Sequence, residues 1–473
     1  MSVCSFIIRF PDMLVEKAPE SSQSFQRELA IERLLYRYPL NVIKMIVRLE
    51  SSVDRYMLER AVEKVCRKHP FLRSRIVLRD DGTAYFTTDG AQEMRLKVRQ
   101  KTSDDDYVKV IEEEDRIPFE MDKGRLARII LLESETRPDI VVYAHHIICD
   151  GLSLMYMIRH LMEFLADPSK NIEVTEPISY AKQLLEAYPP NFLKRFMMKR
   201  INSKWAKTKV IFGEDDLLKL HKKVHPDKHV YVAFSMQDTT TLRDRCRAEG
   251  VTINSAIITA ILTAKRQIPE LVERRDEIGF AVNARDRLPV HPGEACGFYA
   301  TGVILKQEFE EAKSFWDNAR AVHQHSQETL QDDKALFERR TMILTLDPTL
   351  IDALLFSVLG DFEDPLIKKF EKAYAEGTSV GAVLTNLGGA HIPKQYGPYM
   401  LDTVIFSPPG SVGGVLAMGA SGIVGKLEIT IPYREHLLST ELINRFTEAF
   451  ITTLNNALAP CQLTSTDRFD SPS

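Results

Sequence analysis

Between residues 41 and 167 short apolar runs alternate with longer stretches in which apolar side chains recur every third or fourth position. "NVIKMIVRLE" (41–50) is dense in β-branched residues and predicts a strand. In the segment that follows, "SSVDRYMLERAVEKVCRKHP", Leu58, Ala61, Val62 and Val65 share one helical face behind a Ser/Asp start, which predicts an amphipathic helix closed by Pro70. Strands at 73–79 and 83–88 read as a hairpin turned by the Asp-Gly of "RDDGT". A helix near 104–115, strands in "IPFEMDKGRLARIILLES" and "DIVVYAHH", and the helix "LSLMYMIRHLMEFLAD" complete this half.

From about 168 to 208 the pattern becomes polar, Pro-punctuated and helical, as expected of a connection between domains. Beyond it come strands at 229–235, 277–283 and within "FYATGVIL", helices at 238–249 and 252–267, and several helices over 308–376. Strands at 379–385, 402–407, 412–419 and 424–431 precede a last helix, 438–457. Both halves mix strands and helices in a similar order, so the pattern predicts an α/β protein of two related subdomains, 1–175 and 211–461, with 176–210 as connector. The polar end, 462–473, is expected to be disordered.

A chain of 473 residues exceeds one ordinary core, which agrees with that division. With 62 basic against 66 acidic residues, overall charge offers no drive toward nucleic acid. The six cysteines are scattered without metal-ligand spacing, and "MSVCSFIIRFPDM" lacks the basic start and long apolar core of a secretory leader. No stretch approaches the roughly 18 apolar residues that cross a bilayer. The expectation is a cytoplasmic protein with reduced thiols, no metal and no transmembrane segment. Neither GxGxxG nor GxxxxGK[ST] occurs, which argues against nucleotide-driven chemistry.

Candidate chemistry concentrates in "YAHHIICDGLS" (143–153). Neighbours on a strand face opposite ways, so one of His145 and His146 should enter an open space and the other the protein. An imidazole at a strand-to-helix turn suits general base work, because its pKa lies near neutrality. Asp150 lies four residues on, where a turn could fold it beneath the loop. A lone histidine there would more often be a core residue. The full HHxxxDG arrangement is expected by chance on the order of once in a thousand chains of this length.

"HHIICDG" resembles the HHxxxDG signature of the CoA-dependent acyltransferase superfamily, which includes the condensation domains of nonribosomal peptide synthetases and the plant, alcohol and polyketide-associated acyltransferases of natural-product biosynthesis. "RKHPFLRSRI" (67–76), "IPFEMDKGRLARIILLE" (117–133), "AEGVTINSAIITAIL" (248–262) and "IGFAVNARDRLPVHPGEACGFYATGV" (278–303) are similar to further blocks of that superfamily, although Phe298 follows Gly297 directly where the pattern has Gly-x-Phe. Nothing matches the "DFGWG" element of the plant branch, whereas "VLTNLGG" (383–389) is similar to a turn of the alcohol acyltransferase branch.

The resemblance implies two chloramphenicol-acetyltransferase-like subdomains in a V with the active-site tunnel between them. It implies His146 as general base, His145 as an inward structural residue, and Asp150 bracing the loop through an ion pair to an arginine, Arg285 in preference to Arg287. Gly151 would permit the tight turn and leave room for the thioester arm. Asn386 and Gly388 would be oxyanion donors or a clasp across the tunnel, unless they form a plain turn. The implied reaction moves an acyl group from a CoA or phosphopantetheine-linked thioester, as substrate with no bound cofactor, to a hydroxyl. A stand-alone condensation enzyme forming an amide and a non-catalytic scaffold of the same fold are the rivals. Any carrier protein is expected to be a separate partner.

"NFLKRFMMKRINSKWAKTKV" (191–210) holds Lys194, Arg195, Lys199, Arg200, Lys204, Lys207 and Lys209 and no acid, together with Phe192, Phe196, Met197, Ile201 and Trp205. As a helix it would carry an apolar stripe with a cationic flank. Packing of that stripe on a subdomain is the plain expectation; docking of an acyl-carrier protein near Lys194–Lys209, contact with CoA phosphates, or attachment to an anionic membrane are the functional ones. His69, at a helix end, is expected to be favoured in its charged form by the helix dipole.

Overall fold

Every residue of the strand Val42–Leu49 is buried, Lys44 and Arg48 included, because both faces of its sheet are covered. The computed structural model, which describes residues 25–272, 277–306, 309–378, 380–388, 392–410 and 415–459, builds that strand into a six-stranded sheet. Its order is Gln395–Tyr396, Tyr399–Ser407, Val42–Leu49, Asp139–His145, Ala127–Glu133 and Leu96–Gln100. Only the last pair is parallel. Helices Arg55–Lys68 and Gly151–Ala166 pack together. The first starts where Asp54 accepts the Met57 amide at 2.9 Å, and it buries Leu58, Ala61, Val62 and Val65 as their spacing requires.

A second six-stranded sheet runs Ala300–Leu305, Ile278–Asn283, Ala382–Asn386, Leu416–Ser421, Glu428–Tyr433 and Lys228–Ala233. It carries its own core, in which helix Ile253–Arg266 is buried along most of its length beneath Phe315–Leu330 and Thr440–Leu458. A small sheet joins Gln26–Glu28 to the hairpin Arg75–Leu78 and Ala84–Thr87.

The division at residue 211 does not describe how the two cores are built. Tyr399–Ser407 leaves the second half to pair antiparallel with Val42–Leu49, Ile405 lying opposite Ile46. In return, the early helix Arg33–Tyr36 is tied to helix Pro348–Val358, Arg33 Nε donating to Asp352 Oδ1 at 2.8 Å. Between the sheets, the buried Lys44 ammonium lies 3.6 Å from both Asp115 and Asp227. Strand periodicity is set by a segment's own residues, and the sheet it joins by hydrogen bonds to distant ones.

Two further expectations change. His69 is fully buried with Nε2 3.0 Å from His160 Nδ1, and burial, with the His160 charge second, pushes its pKa down to about 3, so it is neutral rather than dipole-charged. Leu96–Gln100, in the polar "RLKVRQ", is an unforeseen strand, half-buried at the sheet edge. Residues 1–24 and 460–473 lie outside the described part, and with them the leader and tail expectations, Cys4 and Cys461. Cys66, Cys149, Cys246 and Cys296 are free thiols. Among the described residues no single helix is long and apolar enough to cross a membrane.

Candidate active site

His145 is the last residue of the strand Asp139–His145, and His146 is the first beyond it. His145 is completely buried. Its Nδ1 accepts the Ile147 amide at 3.2 Å, and Nε2 lies 3.4 Å from the Tyr38 carbonyl, so backbone groups occupy both ring nitrogens. Burial lowers its pKa to about 3 despite the Tyr38 bond.

His146 is half-buried on a cavity wall. Its Nδ1 lies 2.7 Å from the Cys149 carbonyl oxygen and must donate to it, since a carbonyl only accepts. That bond fixes the tautomer and leaves Nε2 with the free lone pair. Burial lowers the pKa of this imidazole, against the raising effects of the Cys149 carbonyl and Asp150, so the ring is neutral at pH 7. Phe298 stands edge-on to it, centroids 5.3 Å apart. A neutral imidazole held by a backbone carbonyl, with one nitrogen open to a cavity, can take a proton.

Asp150 caps the helix Gly151–Ala166, accepting the Ser153 amide at 2.7 Å. Its other bonds reach across the molecule, to the Tyr299 amide at 2.9 Å and to Arg285 at 3.2 and 3.3 Å. Both ion-pair side chains are 2% exposed. Burial pushes the Asp150 carboxyl up, but Arg285 and the two amides outweigh it and hold the pKa below the usual carboxylate value. Asp150 is therefore ionised and occupied as a brace. Arg287 pairs instead with Asp333, 2.6 Å away.

Residues not singled out as site residues complete the brace. Ser153 Oγ accepts from Arg285 at 2.7 Å and donates to the Gly297 carbonyl at 2.8 Å, while the Asp150 amide donates to that same carbonyl at 2.9 Å. A Cβ on Gly297 would stand 2.6 Å from the Tyr299 ring. "CGFY" was the signal present in the chain, but backbone groups, the Gly297 carbonyl as acceptor and the Tyr299 amide as donor, leave no residue-type signature.

Gly151 is required for space, not for a turn conformation. Its Cβ would lie 2.5 Å from Leu387 Cδ2 and 3.3 Å from the Phe406 ring, and its φ is not in the left-handed region. Gly151→Ala should cost about 1 kcal/mol, the low end for overpacking, because Leu387 can rotate. Adding Leu387→Ala should relieve that cost, as urea denaturation of the two single variants and the double will show. Equal effects in both backgrounds would mean that the two residues do not press on each other.

Of the two forms that the sequence left open for Asn386 and Gly388, the structure has the plain turn. Asn386 Oδ1 accepts the Gly388 amide at 2.8 Å, its Nδ2 donates to Asn254 Oδ1 at 3.3 Å, and Gly388 adopts φ +56°. Neither lines the cavity, and the Gly388 N–H is spent within the turn. They form a local turn whose Leu387 is the residue facing the histidine loop.

The cavity holds about 350 Å³ and is walled by both sheets, with Ile43 and Phe406 on one side and Val303, Val383 and Met418 on the other. Its surface is mostly apolar. Besides His146 and Asp150, its polar side chains are Thr301, Thr385 and Arg339. Among the described residues no group of three or more His, Cys, Asp or Glu could hold a metal ion.

The model of the family described as Condensation domain matches residues 23–359. A component of the linear gramicidin synthase of Brevibacillus parabrevis is 24% identical over 373 residues, which are 73% of this chain and 7% of that one, so the chain spans a small part of that relative's length. The Fusarium pseudograminearum protein named "Probable alcohol acetyltransferase FCK4" is 24% identical over 281 residues, 56% of this chain and 50% of that one. The solved trichothecene 15-O-acetyltransferase TRI3 of Fusarium sporotrichioides superposes with a TM-score of 0.65 at 12% identity, covering 92% of this chain and 96% of its own. The likeness shows the fold, an α/β architecture of two chloramphenicol-acetyltransferase-like subdomains.

Proposed function

The chain belongs to the condensation-domain family, and from that membership we propose that it transfers an acyl group from a thioester to an acceptor hydroxyl, forming an ester, with His146 as general base. The observation that carries the reading is the His146 imidazole, neutral, tautomerically fixed by the Cys149 carbonyl and set on the wall of a mostly apolar cavity. Nε2 takes the hydroxyl proton as the oxygen attacks the thioester carbonyl. A tetrahedral oxyanion forms, the C–S bond breaks, and the thiolate leaves with the proton returned from the imidazolium. The Thr385 hydroxyl is a side-chain donor on the cavity wall that can turn to the oxyanion. The apolar remainder suits an acyl chain.

The thioester is carried on CoA or on the phosphopantetheine of a carrier protein, as substrate. A relative named for alcohol acetylation and a fold neighbour named for O-acetylation favour a hydroxyl acceptor. Amide formation from a carrier-bound acyl group is the second reading, favoured by the similarity to a gramicidin synthase. Acyl-CoAs from acetyl to long-chain, presented with mixed alcohols and amines, should release thiol when an alcohol is present and yield a product with the mass of the ester. Release with amines alone would favour the amide. Silence with both CoA and acylated carrier donors would remove the reading.

A further inference from the structure

The basic connector forms the helix Phe192–Trp205, and its apolar residues divide between two sides. Met198 and Trp205 are buried and Ile201 is half-buried against the second core, with Trp205 Nε1 donating to Thr349 Oγ1 at 2.8 Å and Asn202 Nδ2 donating to the Thr345 carbonyl at 2.9 Å. The helix is anchored by that side. Phe192, Leu193, Phe196 and Met197 lie on the other and are 78%, 65%, 55% and 49% exposed. At 100° per residue Phe196 points almost directly away from the buried side, Phe192 stands one turn before it, and Lys199 and Arg200 flank it.

The charge that this segment itself carries has one sign. Residues 191–210 contain seven cations and no acid, in a chain of net charge −4. Lys194 is paired with Glu338, and Lys209 lies 3.4 Å from Asp347. Among the described residues Arg195, Lys199, Arg200, Lys204 and Lys207 have no carboxylate within 4.0 Å, and all five are exposed. Glu338, the partner of Lys194, precedes Arg339 on the cavity wall, so the patch is one helix away from the candidate active site.

From the projecting aromatic residues and their ring of unpaired cations we propose that the helix Phe192–Trp205 docks this protein on an anionic lipid surface. Protruding apolar side chains on a convex helix enter the acyl boundary of a bilayer, while flanking Lys and Arg remain at headgroup level and meet anionic lipid. The packed side of the helix is the plain expectation from its sequence; the outward Phe and Leu residues are what that expectation leaves unexplained. The inference concerns binding alone and does not depend on the reaction proposed above.

The test is co-sedimentation of the full chain with vesicles of phosphatidylcholine mixed with phosphatidylglycerol, against pure phosphatidylcholine, at low and high salt. Binding to the mixed vesicles that weakens with salt is expected. The double variant Phe192→Ser/Phe196→Ser should lower partitioning on the order of tenfold. The triple variant Arg195→Gln/Lys199→Gln/Arg200→Gln should lower it on the order of 100-fold, at about fivefold per cation. Unchanged urea midpoints will show that both variants fold. Absence of binding to the mixed vesicles, or equal binding by wild type and variants, would overturn the proposal. So would patch-dependent binding to an acidic acyl-carrier protein without binding to vesicles, which would make the patch a protein-docking site.

Discussion

Replacing His146 with alanine should lower acceptor-dependent thiol release by roughly 10²- to 10⁴-fold, the usual contribution of a positioned general base. The fold should survive. His146 is half-buried, is neutral, and makes one bond to a backbone carbonyl, so its loss strands no charge and costs about 1 kcal/mol. The neighbouring histidine predicts the opposite pattern, because both nitrogens of His145 serve the backbone inside the core. Steady-state rates beside urea midpoints separate the two roles. Loss of stability without a specific loss of rate in His146→Ala would contradict the assignment.

The second large effect is expected at the brace. Asp150→Ala removes the carboxylate that Arg285, the Ser153 amide and the Tyr299 amide all bind, leaving a guanidinium 2% exposed without its counter-charge. Breaking such a pair costs about 3–5 kcal/mol. The paired change Asp150→Asn/Arg285→Met should recover part of the loss, since neither charge is then left alone. The pH dependence has a definite sign. The Asp150 pKa is lowered in the folded protein, so its stabilisation is complete above the unfolded value near 3.8 and is lost as pH falls through the folded one. The stability gap between wild type and Asp150→Ala should therefore be full at neutral pH and narrow only in strong acid. A gap that closes near pH 6 would point to another group.

How much of this was legible in the chain depended on the range of the contacts involved. The strand-to-helix turn at His145–Gly151 is local, and apolar spacing together with HHxxxDG located it. The Asp150–Arg285 contact spans 135 residues and came from resemblance to a family, not from periodicity. What no local pattern held was the destination of Tyr399–Ser407, whose apolar alternation suits either sheet, and the Gly297 and Tyr299 backbone groups that complete the brace. Asn386 and Gly388 had the right residue types for oxyanion donors, but a two-residue hydrogen bond had already claimed the amide. The basic segment was legible as a helix, but not in which of its apolar residues would face outward, because Met198, Ile201 and Trp205 had first to find their core.

The most direct test of the central claim is the pH dependence of acceptor-dependent thiol release, measured as kcat/KM for wild type and His146→Ala. If a half-buried, neutral His146 is the base, the wild-type rate falls on the acid side with an apparent pKa below the unperturbed 6.5, and the residual rate of the variant lacks that limb. An acid limb at or above 6.5, or the same limb in the variant, would show that a different group takes the proton.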